Sequence, residues 1–169
     1  MKFEDRDLVS DGDILFIKND PSLTSKIIRF FTKSRYSHCG IAFWIHSSGT
    51  KRLMMVEAQN STKRRIVNAS NYDYVNLDIV SGQKAWNEIE GDALMGLGIV
   101  DYNIMEAIEV GAKEFMLKYF NINMPISKDE PGEICSQFIA KLQGVDNVMV
   151  SPEGLYEALL KKGSVLKFS

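Results

Sequence analysis

Residues 37–59 read Ser37-His38-Cys39-Gly40-Ile41-Ala42-Phe43-Trp44-Ile45-His46-Ser47-Ser48-Gly49-Thr50-Lys51-Arg52-Leu53-Met54-Met55-Val56-Glu57-Ala58-Gln59. Two apolar runs flank a short polar turn, Ser47-Ser48-Gly49-Thr50, which is the signature of a β-hairpin. With that turn, His46 faces Lys51, and His38 lies opposite Gln59 and diagonal to Glu57. A turn shifted by one pair would set His38 directly against Glu57. In both registers the two side chains share a face, because a strand alternates with period two. A one-residue slip in parity would separate them. Glu57 stands out in an otherwise apolar strand, where a carboxylate requires a partner.

Outward from the hairpin, Asp11-Gly12 is a turn signal that opens a strand at Asp13–Ile17. Asp20-Pro21 looks like an N-cap and first helical position. The helix it starts runs to about Lys33, with Leu23, Ile27, Phe30 and Phe31 on one face. Arg64–Asn68 can extend the sheet. Val75, Leu77 and Ile79 alternate as in a half-buried strand over 74–80. The second half reads as helical: a short helix at 83–90, a long one at 101–120, one at 133–142, and a last one opened by Ser151-Pro152. Strand and helix, then an antiparallel sheet, then helices form an α+β pattern.

The chain has 169 residues and a formal net charge of −2, with 45% hydrophobic and 25% charged residues. This is the composition of a single globular domain, 1–169, and not of a disordered or disulfide-stapled chain. Its mild acidity argues against nucleic acid as a partner. No apolar run approaches the ~20 residues of a membrane span, and the charged start, Met1–Asp7, shows no signal peptide. A cytoplasmic protein with free thiols is expected, with release by lysis or association with a virion as further routes. The two cysteines, Cys39 and Cys135, lack metal-ligand spacing, so neither a metal nor an organic cofactor is expected.

Cys135 falls in the first turn of the 133–142 helix. Unpaired backbone N–H groups and the helix dipole there favour a thiolate. It equally reads as a small apolar residue heading the stripe Phe138, Ile139, Leu142. His38 is the histidine placed to act as a base, or else a structural histidine on a strand; His46 sits at the turn. Cys39, next to His38, alternates to the other face and reads as inert core. Cys135, His38 and Glu57 supply nucleophile, base and base-orienter. Lys26, Arg29, Lys33, Arg35 and Lys63-Arg64-Arg65 could gather into a basic patch for anionic groups, or form a solvated face.

Taken in order, Gly12-Asp13-Ile14-Leu15, Ser34–Ile41, Val56-Glu57-Ala58, Ile134–Phe138 and Ser151–Tyr156 resemble segments of the circularly permuted NlpC/P60 papain-like cysteine hydrolases, the YiiX-like group. There the histidine strand precedes the cysteine helix. The resemblance spans nearly the whole chain. It implies a papain-like fold, a central antiparallel sheet packed by helices, with Cys135 as nucleophile, His38 as base and Glu57 as third member. Tyr36 and Gln59 are further candidates, Tyr36 for the oxyanion site and Gln59 as an alternative partner of His38. Cys39 departs from the pattern, which often has a small aliphatic residue there. The implied activity is cleavage of amide bonds, including those of cell-wall peptides (peptidoglycan). The alternatives are a lipid-directed acyl hydrolase or acyltransferase of the lecithin–retinol acyltransferase-like type, and a non-catalytic binding module.

Overall fold

The computed structural model describes residues 3–18, 34–59, 63–72, 77–98, 113, 116–117, 119–123, 134–145 and 151–169. Six strands form one antiparallel sheet: β1 (Ile14–Lys18), β2 (Tyr36–Ser47), β3 (Thr50–Gln59), β4 (Lys63–Asn68), β5 (Leu77–Val80) and β6 (Leu166–Phe168). Their spatial order is β4-β3-β2-β1-β5-β6, which places β2 and β1 at the centre. Among the described residues, the helices after the main strands include α1 (Trp86–Met95), α2 (Cys135–Leu142) and α3 (Pro152–Lys161). The architecture is α+β. The helix expected over 21–33 lies outside the described residues, as does most of the 101–120 stretch, of which Lys113, Met116, Leu117, Tyr119 and Phe120 are helical.

The β2–β3 hairpin takes the first of the two expected registers, pairing His46 with Lys51 and Ile41 with Val56. Its turn residues, Ser48 and Gly49, both have positive φ (48° and 77°). That geometry matches the twist of the flanking strands, and glycine at the second position relieves its steric cost.

Apolar side chains alternate between two cores. Phe16, Cys39, Ile41, Phe43 and Val56 face α1, α2 and α3, meeting Ile89, Ala93, Phe138, Ile139, Leu155 and Leu159. Leu15, Ile17, Ala42, Leu53, Met55, Val67, Leu77 and Ile79 form the second core on the opposite face. Ser151 caps α3 by accepting from the Gly154 N–H (3.1 Å), with Pro152 in the first turn. Phe43 stacks on Trp86 at 4.8 Å and ties α1 to the sheet. The expected short helix is therefore present but shifted toward the C-terminus.

One further expectation is corrected, and one strand was not foreseen. β5 is buried along its whole length, Asp78 included, and not half-buried, because β1 and β6 flank it and both faces are covered. The last strand, β6, carries no alternation long enough to read from sequence. Among the described residues no helix is long and apolar enough to cross a membrane.

One irregularity bears on the site. Ile17 pairs with His38 but Lys18 pairs with Tyr36, so Ser37 is an extra residue in β2. Such a bulge interrupts the alternation and re-aims nearby side chains. Tyr36 thereby joins Cys39 in the helix-side core.

Gly40, two residues past His38, has no room for a side chain. A Cβ there would lie 2.5 Å from Met55 Cγ, 2.6 Å from Met55 Sδ and 2.9 Å from the Val56 carbonyl oxygen. Gly40→Ala is expected to destabilise the fold by about 1–3 kcal/mol, read as a lower urea midpoint. An unchanged midpoint would show that the two strands part freely.

Candidate active site

Cys135 is the first residue of α2, and Ile134 before it is extended. The Gln137 side chain folds back to accept from the Ile134 N–H at 3.2 Å, which fixes the entry of the chain into the helix. Phe138, Ile139 and Leu142 bury the apolar stripe against the sheet and hold the helix N-terminus at the start of β2. There Cys135 meets Cys39 and the His38 ring, which act on its sulfur through hydrogen bonding and charge. The thiol is held well below its ordinary pKa. The Cys39 hydrogen bond contributes most; burial opposes it, and the His38 charge adds to it. Cys135 is 2% exposed.

His38 is buried between two anionic groups. Its Nε2 lies 2.9 Å from Glu57 Oε2, and the ring also interacts with Cys135. Burial works to lower the imidazole pKa. The Cys135 thiolate and then the Glu57 carboxylate overcome it and push it up to about 10. The pair is thus thiolate and imidazolium, the reactive form of a cysteine–histidine couple.

Glu57 is fully buried, yet ionised. Desolvation disfavours its charge, but His38, Tyr72 and Arg65 outweigh it and bring its pKa down to about 2. Arg65 stands directly opposite Glu57 on β4 and donates to Oε1 from Nε at 2.8 Å and Nη2 at 2.7 Å. The Tyr72 hydroxyl donates to Oε2, the oxygen that also meets His38. The Tyr72 ring stands 6.0 Å from that of His38, centroid to centroid. A carboxylate so fully bonded is fixed in place and in charge.

The structure therefore brings together Cys135, His38 and Glu57. Arg65 and Tyr72 were not foreseen as members of the site. The signal for Arg65 was available, since pairing β4 to β3 puts it across from Glu57. Tyr72 follows a short 3-10 turn, Ala69–Asn71, and no spacing points to it.

Three other expectations come out differently. Tyr36 is fully buried, and its hydroxyl donates to Asp78, which also pairs with Lys18, so that proton is turned toward β5 and away from an oxyanion role. Cys39 is buried as expected, but its thiol touches Cys135, because the bulge and the approach of α2 bring the sulfur to both residues 38 and 39. The basic patch does not assemble from its described members. Arg35 is bonded to Glu153 (2.8 Å), Arg64 stacks over Phe138 (4.2 Å) and donates to the Asp92 carbonyl, and Arg65 serves Glu57. Lys26, Arg29 and Lys33 lie outside the described residues. Gln59 ends β3 opposite Lys63, and its side chain is likewise outside them. Among the described residues no three His, Cys, Asp or Glu side chains are grouped to hold a metal.

No protein-family model and no curated protein matches the chain.

Proposed function

We propose that this protein is a cysteine-dependent hydrolase of amide bonds, built on a circularly permuted papain-like fold of the NlpC/P60 kind. The observation that carries the reading is the chain of contacts from Cys135 through His38 to Glu57. A low-pKa thiol at a helix N-terminus, an imidazolium beside it and a buried carboxylate behind that are the parts of acyl-transfer catalysis. The order along the chain, histidine strand before cysteine helix, also supports the permuted arrangement.

In this reading the Cys135 thiolate attacks the carbonyl carbon of the substrate. The oxyanion that forms is met by the backbone N–H of Cys135. His38 gives its proton to the leaving amine as the tetrahedral intermediate collapses to a thioester. It then takes a proton from water, which attacks the thioester and frees the acid. Glu57 stays ionised throughout and stabilises the imidazolium each time it forms. Small peptides, including those of the cell wall, are the proposed substrates.

The test begins with reactivity. At about pH 6 an ordinary thiol is less than ~1% thiolate, and the lowered pKa of Cys135 gives it the larger thiolate fraction of the two cysteines. Limiting iodoacetamide should alkylate Cys135 at least ~10-fold faster than Cys39, as mapped by peptide mass spectrometry. Label on Cys39, or reaction of both thiols only after unfolding, would overturn the assignment. A panel of amide and ester substrates then separates peptide cleavage from acyl transfer on lipids.

A further inference from the structure

We propose that Cys39 is the resolving thiol of Cys135: peroxide oxidation of the site ends in a reversible Cys39–Cys135 disulfide that switches the nucleophile off and protects it from irreversible oxidation. The chain holds two cysteines, far apart in sequence. The fold places one on the central strand β2 and the other at the start of α2, both buried in the same core. The helix that carries Cys135 packs directly on β2, and there each thiol acts on the ionisation of the other. A disulfide needs close approach of the two Cβ atoms as well as of the sulfurs, and a strand and a helix packed face to face can bring two cysteines to that separation.

The chemistry balances with hydrogen peroxide as the oxidant. The Cys135 thiolate attacks one peroxide oxygen and the O–O bond breaks. The departing hydroxide takes the proton held on His38 and leaves as water, and Cys135 becomes a sulfenic acid. The Cys39 sulfur then attacks the Cys135 sulfur. The S–S bond forms as the S–O bond breaks, and the Cys39 proton leaves with the hydroxide as a second water. Two thiols and one peroxide give one disulfide and two waters; a dithiol reductant reverses it by exchange. The division of labour suits the pair. The ionised thiol reacts first, and the protonated one stays out of reach of peroxide until a sulfenic acid forms beside it.

This inference stands on the thiol pair and does not require that the protein hydrolyse anything. The full-length protein is treated with a few equivalents of peroxide, unfolded under acid, alkylated and mapped. The expected result is loss of both free thiols, a Cys39–Cys135 cross-linked peptide, and full recovery of both thiols with dithiothreitol. Cys39→Ala and Cys39→Ser, each checked for folding by circular dichroism, should instead carry Cys135 to the sulfinic acid, with no recovery. Sulfinate at Cys135 beside a free Cys39 in the wild-type chain would overturn the proposal. So would two thiols that remain reduced under excess peroxide. A cross-link formed in a protein that cleaves none of the substrate panel would leave the redox device standing and count against the hydrolase reading alone.

Discussion

Cys135→Ala is expected to lower turnover on any amide or ester that the wild-type protein cleaves by ~10⁴-fold or more, while the chain still folds. Removal of a nucleophile leaves only binding and the oxyanion donors to act on the substrate. Loss of one buried sulfur should change stability at neutral pH by about 1 kcal/mol. The pH dependence of that change identifies the ion pair. His38 is raised to about 10 in the fold. Its contribution is complete below its unfolded value near ~6.5 and is lost as pH climbs through about 10. The Cys135 thiol is lowered, so its contribution is complete above the unfolded value near ~8.5 and is lost as pH falls through its folded pKa. The two together stabilise most between about pH 6.5 and 8.5. Urea titrations across the pH range should show this window in the wild-type chain and a flatter profile in Cys135→Ala. A variant that retains full turnover, or the same profile, would refute the role.

Glu57 should give the largest effect on stability. Glu57→Ala strands a buried imidazolium, the Tyr72 hydroxyl and the Arg65 guanidinium together. Removing one partner of such a buried cluster costs about 3–5 kcal/mol, a large part of the ~5–15 kcal/mol that holds an ordinary domain. Glu57→Gln keeps the shape and separates charge from packing. Its side-chain oxygen still accepts one or two of these bonds, but it no longer stabilises the imidazolium. Turnover should fall by ~10²–10⁴-fold, and alkylation of Cys135 at about pH 6 should slow. Acid unfolding supplies an independent reading. The Glu57 pKa is depressed to about 2, so its contribution is complete above the unfolded value and is lost as pH falls through about 2. On the order of 3 kcal/mol should disappear across that span in the wild-type chain and not in Glu57→Gln. Identical acid profiles would place Glu57 outside the network.

The parts of this site that could be read from the sequence are those governed by short-range periodicity. The hairpin turn gave the register, and the register put His38 and Glu57 on one face. The apolar stripe of Ile134, Phe138, Ile139 and Leu142 placed a helix over 133–142 with Cys135 in its first turn, and the helix is Cys135–Leu142. What escaped depends on breaks in that periodicity or on distant packing. The extra residue at Ser37 leaves no mark in the sequence, so nothing there showed that Tyr36 turns into the helix-side core beside Cys39. Arg65 looked like a surface base because its strand had no assigned neighbour. Tyr72 lies where a turn leaves the sheet, and only the folded chain shows that its hydroxyl reaches Glu57. The α+β class followed from the order of elements, whereas β6 was too short to register.

His38 and Glu57 lie nineteen residues apart on adjacent strands joined by a tight turn, and Arg65 and Tyr72 come from the strand and turn that follow. A chain growing from its N-terminus has therefore synthesised the base, its carboxylate and both supports long before Cys135 exists. The thiol acquires its acidity only when α2 docks, since the groups that stabilise the anion, Cys39 and His38, belong to the earlier half. During synthesis, and in any molecule whose C-terminal helices have come loose, Cys135 is an ordinary thiol. In the hydrolase proposed above, reactivity would thus report completed assembly, and nascent or partly unfolded chains would carry no competent nucleophile to turn on their neighbours.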